Sequence, residues 1–211
     1  MAYCLLSSLP GIVGTEPNTI PAGIPYLEAD ATDVKTWRER LDAKLVKDRL
    51  RVGVVWAGRP THPNDSRRSI PLAMLAGFAR LSNICLVSLQ KVVPERDKAA
   101  LASFPDMLDV SDALTDFGQT AALITALDLV VTVDSAAGHL AGALGKPVWV
   151  MMPTPADWRW MLDREDSPWY PSMRLFRQPR PGDWTSVIAS VVQGLAGLQK
   201  AKPRRRAAAA S

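Results

Sequence analysis

The residues best suited to chemistry sit in short polar segments that each follow an apolar run. The most specific is Val131-Thr-Val-Asp134-Ser135-Ala136-Ala137-Gly138-His139, continuing through Leu-Ala-Gly-Ala-Leu-Gly-Lys-Pro-Val. The apolar run ends at Asp134, and Ser135 is placed to cap a following helix. Ala136, Ala137 and Gly138 have almost no side chain, so a ligand can come close to the backbone N–H groups. A helix start of this kind attracts phosphate through unpaired donors and the helix dipole. His139, one turn in, is placed to donate to a phosphate or hydroxyl, and Asp134 to accept from sugar hydroxyls. The same pattern also describes a capped helix packed tightly on a sheet, with Gly138 and Gly142 there for close contact. It is neither a Walker A loop nor a GxGxxG fingerprint.

The second segment, residues 56–69, reads WAGRPTHPNDSRRS. It is long and polar, with Arg59, His62, Asn64, Arg67 and Arg68. Guanidinium groups suit phosphate oxygens, so a basic loop facing a helix start would clamp a diphosphate from the other side. Arg68 is the best candidate because it lies nearest the ordered segment at Pro71. Gln90 and Lys91 follow the next apolar run, placed either to meet a base or ribose or simply to end a strand. Asp116 reads as a helix N-cap. In PTPADWRWMLDREDSPWYP, residues 153–171, Trp158, Trp160, Trp169 and Tyr170 either flank a sugar or base or pack against a partner domain. Asp163, Glu165 and Asp166, with Arg164 among them, read as a solvated charge cluster rather than metal ligands.

These segments need a scaffold that brings them to one edge, and the chain predicts one. RVGVVWAG, ICLVSLQ, MLDVS, DLVVTVD and KPVWVMMP read as strands, with MRLFRQ as a sixth. They are continuous apolar runs, as expected for a parallel sheet covered on both faces. Helices are predicted between them: one opened by Pro71 as its first residue, with Leu72, Leu75 and Phe78 inward; one from about 94 to 104; one capped by Asp116; one from about 136 to 144 ended by Gly145; a short Trp-rich one; and a last one from 183 to about 198. Ahead of the sheet, Val34, Trp37, Leu41 and Leu45 share one helical face, with Asp30 or Thr32 as cap. The predicted fold is α/β, a Rossmann-like doubly wound parallel sheet over residues 49–198. Residues 1–48 read as the end of a preceding domain plus a linker helix, and 199–211 as a basic disordered tail. In such a sheet ligands bind beyond the carboxyl ends of the strands, where the polar segments fall.

Composition excludes several classes. The 211 residues carry 25 Lys or Arg, 21 Asp or Glu and a net charge of +4. Five of the cations, Lys200, Lys202, Arg204, Arg205 and Arg206, belong to the tail, leaving a near-neutral body that does not support specific nucleic-acid binding. Of two cysteines, Cys85 lies in an apolar run and reads as a buried hydrophobe, and no CxxC or Cys/His cluster points to a metal. There is no signal-peptide pattern and no apolar run near the ~20 residues a membrane span needs, so the default compartment is the cytoplasm. A nicotinamide-dependent oxidoreductase is disfavoured because VWAGRPTHP lacks the glycine spacing.

VGVVWAG…NDSRRSIPL, VSLQK, DFGQTAALITALDLVVTVDSAAGHLAGALGKPVWVMMP and DWRWMLDREDSPWYPSMRLFRQPRPGDW together resemble the C-terminal domain of bacterial glycosyltransferase-family-9-like proteins. These are often preceded by tetratricopeptide repeats and are related to ADP-heptose:lipopolysaccharide heptosyltransferases and, more distantly, to O-GlcNAc transferases. The resemblance covers about 50–195 and extends weakly into 3–40. It implies one half of a GT-B fold, with a nucleotide-diphosphate sugar as donor, a protein or glycan as acceptor, and no required metal or other cofactor. It implies that Asp134, Ser135, the amides of 136–138 and His139 face the donor, and that Arg68 neutralises the leaving phosphate. In that family the general base lies in an N-terminal domain, for which 45 or so residues are too few here. A GT-B partner domain or a second copy would cover apolar surface around Trp37 or Trp158. The alternative is a truncated, non-catalytic module that binds a nucleotide or a partner.

Overall fold

The computed structural model describes residues 3–198. The basic tail predicted at 199–211 lies outside the described residues. Six strands form one sheet: β1 (Leu50–Val55), β2 (Ile84–Ser88), β3 (Leu108–Asp109), β4 (Leu129–Val133), β5 (Val148–Met152) and β6 (Met173–Arg177). Their order is β3-β2-β1-β4-β5-β6, and every adjacent pair runs parallel. This is the Rossmann-type order, in which the winding direction reverses between β1 and β4.

The helices are α1 (Leu9–Ile12), α2 (Ala31–Lys44), α3 (Asp65–Arg68), α4 (Phe117–Ala126), α5 (Ala136–Ala143) and α6 (Trp184–Gly197). Consecutive strand residues feed opposite cores. Val55, Val87, Val130 and Val150 pack with Leu41 of α2, Leu123 of α4 and Ala141 of α5. Val54, Leu86, Val131 and Met151 pack with Leu75, Phe78 and, from α6, Val187 and Val191. Burial on both faces explains why the strands read as unbroken apolar runs. Among the described residues no helix is long and apolar enough to cross a membrane.

The structure corrects several local expectations. Pro71 is extended and precedes the helical segment instead of forming its first residue, and the segment Leu72–Arg80 is a 3₁₀ helix. Its inward residues Leu72, Leu75 and Phe78 recur every third position, the period of a 3₁₀ helix and not of an α-helix. The helix predicted over 94–104 is two 3₁₀ pieces, Glu95–Asp97 and Ala99–Ser103. They divide beside Asp97, whose carboxylate is drawn into the core by Trp56 Nε1 (3.1 Å) and Leu72 N (3.1 Å). The Trp-rich helix is a single 3₁₀ turn, Trp158–Trp160. Asp30, not Thr32, caps α2, accepting from Thr32 N and Asp33 N. Trp37 is not an exposed docking residue: it is buried, and its Nε1 donates to Gln119 Oε1 at 3.0 Å, so α2 is part of the α4-side core. Trp158 is 67% exposed, as expected of that region.

Candidate functional site

The switch point between β1 and β4 opens a crevice, and the loops after both strands meet there. The loop after β1 is pinned from within. Ile70 N donates to Trp56 O (2.8 Å), Gly58 N donates to Ser69 Oγ (2.9 Å), and Ser69 Oγ donates to the buried Asp65 carboxylate (2.8 Å). The short helix α3 then delivers Arg68 across the crevice. Its Nη1 donates to the Asp134 carbonyl at the end of β4 (3.0 Å). Its Nε lies 3.6 Å from Asp65 Oδ1 and is buried without a hydrogen-bond partner. A buried guanidinium N–H left unpaired is costly unless something else satisfies it.

Arg68 sits on one side of a cavity of about 320 Å³ whose lining also includes Asn64, Arg67, Asp134, His139, Asp157 and Arg159. It gathers guanidinium groups from two loops with a carboxylate and an imidazole at the head of α5. Such a set recognises an anion that carries hydroxyl groups.

Gly58 is what gives Arg68 its place. A Cβ there would lie against the Arg68 guanidinium and 2.6 Å from Asp65 Oδ1. The Arg68 head can swing away, but the buried Asp65 carboxylate that holds Ser69 must shift as well, so Gly58→Ala is expected to displace the cation at some cost in stability. The expected result is a melting temperature lowered by a few degrees and about tenfold weaker binding of a diphosphate anion in the crevice, the loss of one charge-assisted hydrogen bond. Thermal denaturation and titration calorimetry on the same sample check it.

His139 is held from behind. Its ring stacks on buried Trp160 (centroids 5.1 Å apart), and Nδ1 lies 3.2 Å from Tyr170 Oη. Nε2 faces Asp134 Oδ1 at 4.0 Å. Burial lowers its pKa below the ordinary 6.5; the Asp134 charge opposes that shift and Arg159 adds to it. The imidazole is therefore neutral at neutral pH. Burial, and then the hydroxyl of Tyr26, raise the pKa of Tyr170, so the phenol keeps its proton.

The cavity lining brings together His62, Asn64, Arg67, Arg68, Asp134 and His139 from among the sequence candidates, while Gln90, Lys91, Ser135 and residues 136–138 stand outside it. Gln90 is 6% exposed. Its amide accepts from Trp56 N and Ala57 N and donates to Ala57 O and Val92 O. In place of a base or ribose, it ties the end of β1 to the loop after β2. Lys91 is exposed, with Nζ on Ser111 O at 3.0 Å. Ser135 stands at the N-cap position without a capping bond, and its Oγ lies 2.9 Å from Thr132 Oγ1. Ala136 is exposed and Ala137 half-buried beside the crevice. Gly138 is buried; its N–H goes to Ser135 O (3.0 Å), and a Cβ would lie 3.0 Å from Thr132 Cγ2. Close packing therefore explains Gly138 better than ligand approach. Gly142 is likewise a packing glycine, since a Cβ would lie 2.5 Å from Tyr170 Cγ.

Asp157 and Arg159 are the lining residues that sequence reading passed over. They come from the loop after β5. Asp157 accepts from Arg159 N (3.0 Å) and Arg159 Nη1 (2.8 Å). The strand-end rule pointed to this loop, but its tryptophans drew more weight than the Asp-Trp-Arg step. The nearby acids behave as a charge cluster: Asp166 pairs with Arg164 (2.7 Å) and Glu165 with Arg174 (3.2 Å). Among the described residues no group of three or more His, Cys, Asp or Glu is arranged to hold a metal.

Residues 83–151 match the model of glycosyltransferase family 9 (heptosyltransferase). The matched stretch runs through β2–β5 and contains Asp134 and His139, while Arg68 lies before it. The chain is similar to Escherichia coli ADP-heptose LPS heptosyltransferase II at TM-score 0.56 and 18% identity, over 84% of this chain and 55% of that one. It is similar to E. coli heptosyltransferase WaaC, solved with ADP, at TM-score 0.51 and 17% identity, over 75% and 48%. Among curated proteins it is 28% identical over 177 residues to Protein FlbA of Caulobacter vibrioides, covering 81% of this chain and 28% of that one. The chain thus spans about half the length of the solved neighbours and less than a third of that curated relative. The family 9 match and the sheet order agree on a Rossmann-like fold shared with GT-B heptosyltransferases.

Proposed function

We propose that the crevice between β1 and β4 binds the diphosphate of a nucleotide-sugar donor for transfer of the sugar to a protein or glycan acceptor. The observation that carries this reading is Arg68. Its guanidinium is fixed across the switch point by the Asp134 carbonyl, with a buried, unpartnered Nε, opposite the N-terminal end of α5. Glycosyl transfer from a nucleotide donor leaves a diphosphate whose negative charge grows as the glycosidic bond breaks. A fixed cation in a partly water-excluded crevice stabilises that charge without reorganising. In this reading Asp134 accepts from a sugar hydroxyl and His139 donates through Nε2 to a phosphate oxygen. Asn64, Arg67 and Arg159 complete the rim, and the first-turn amides at Ala136 and Ala137 add the helix dipole.

The general base and the acceptor site belong, in this reading, to a GT-B partner domain or a second copy facing the crevice. The family 9 match and a neighbour solved with ADP support the choice of donor class. Titration calorimetry with ADP, UDP and GDP tests it. Saturable binding of one of them, weakened in Arg68→Ala, is the expected result, and a folded sample that binds none of the three would remove the proposal.

A further inference from the structure

We infer that Tyr170 is a positioning residue that selects the tautomer of His139. The hydroxyl and the imidazole Nδ1 are 3.2 Å apart, and that contact has two chemically different forms. Either the phenol donates to Nδ1, leaving the proton on Nε2, or Nδ1–H donates to the phenol and Nε2 becomes an acceptor. Only the first aims an N–H into the cavity, toward Asp134 and an incoming oxyanion; the second aims a lone pair there. A phenol is the better donor of the two neutral groups, and Tyr170 remains protonated. Its oxygen also lies 3.4 Å from Tyr26 Oη, a long contact in which either hydroxyl can donate, so the shorter contact to the imidazole takes the phenol proton. With the phenol donating to Nδ1, the imidazole proton sits on Nε2 and faces the crevice.

The surroundings hold this arrangement. Tyr170 is buried and packs where Gly142 has no side chain. Trp160 stacks on the imidazole and fixes its plane. The other charged groups acting on His139 are Asp134, Asp157 and Arg159. None of them hydrogen-bonds Nδ1; Asp134 faces Nε2 at 4.0 Å and favours the same tautomer from a longer distance, while the phenol is the group in hydrogen-bond contact with the ring.

The assignment deepens the donor-site reading but is measured independently of it. The chain has only two histidines, so two-bond ¹⁵N–¹H correlation spectra of the full chain, assigned with His62→Gln, read the His139 tautomer directly. The expected result is a neutral Nε2–H imidazole in the wild type. In Tyr170→Phe, which keeps the ring against Gly142, the spectra should show a mixture of tautomers and a higher titration midpoint, because a bond to the neutral form has gone. ADP binding is expected to weaken about tenfold in Tyr170→Phe. An Nδ1–H imidazole in the wild type, or an unchanged tautomer in Tyr170→Phe, would overturn the assignment. Failure of the wild type to bind ADP would instead strike at the donor reading, while the tautomer result still decides the role of Tyr170.

Discussion

Arg68→Ala is expected to weaken nucleoside diphosphate binding by about 10- to 100-fold, the range for losing hydrogen bonds to a charged group. The magnitude follows from how little freedom Arg68 has. Its side chain is 16% exposed, and one terminal nitrogen is already spent on the Asp134 carbonyl. The guanidinium therefore meets a ligand without first being ordered. Arg68→Lys should recover only part of the loss, because a single ammonium cannot reach that carbonyl and present a planar fork at once. Asp65 keeps its bond from Ser69 in both variants, so the fold is expected to survive. Calorimetry with ADP, alongside a denaturation curve, checks both halves. Equal binding by wild type and Arg68→Ala would take the cation out of the site.

The largest loss of stability is expected at Trp56. It is fully buried directly after β1, and its Nε1 donates to Asp97, which also accepts from Leu72 N. Trp56→Ala removes a large core side chain, worth about 3–5 kcal/mol. It also strips a donor from a buried carboxylate, adding about 1–3 kcal/mol. Against a total stability of about 5–15 kcal/mol, that leaves a marginal protein. Trp56→Phe keeps most of the volume and isolates the second effect. Urea denaturation followed by circular dichroism measures both; a midpoint within error of the wild type for Trp56→Ala would refute the packing account.

Asp97 also marks where sequence reading stops. The six strands were legible because each is a continuous apolar run bounded by Gly, Pro or polar residues, and burial on both faces demands such runs. The Asp134 turn was legible because it ends one of them. Patterning could not show that Asp97 bonds to Trp56, 41 positions away, since a lone acid in Pro-Glu-Arg-Asp-Lys looks like solvated surface. Gln90 misled for the same reason. A polar residue at a strand end looks ligand-facing until both sides of its amide are found bonded to backbone. Arg68, Asp134 and His139, on which the strand-end rule and charge agree, do come together in one cavity. Arg159 was not singled out, and Tyr170 was read as flanking a ligand or packing on a partner, not as meeting His139, because both placements depend on how the 153–170 loop folds back, and its extended Asp157 and left-handed Met161 (φ 52°) leave no periodic trace.

The helix that presents His139 has eight residues, shorter than the ~12–15 at which a helix in water begins to hold itself. Beyond the packing of its buried Ala141, Gly142 and Ala143, it is held at its two ends. At one, Arg68 holds the Asp134 carbonyl. At the other, Tyr26 N and Leu27 N both donate to the Ala143 carbonyl (3.1 and 3.3 Å), while Ile24 and Pro25 lie against Gly145. The segment around residues 24–27 therefore works as a clasp on the far end of α5. Loosening it would raise the frequency of local opening at the crevice without touching a residue that lines it. The protection of α5 amides from hydrogen exchange becomes a property of the N-terminal segment as much as of the ligand.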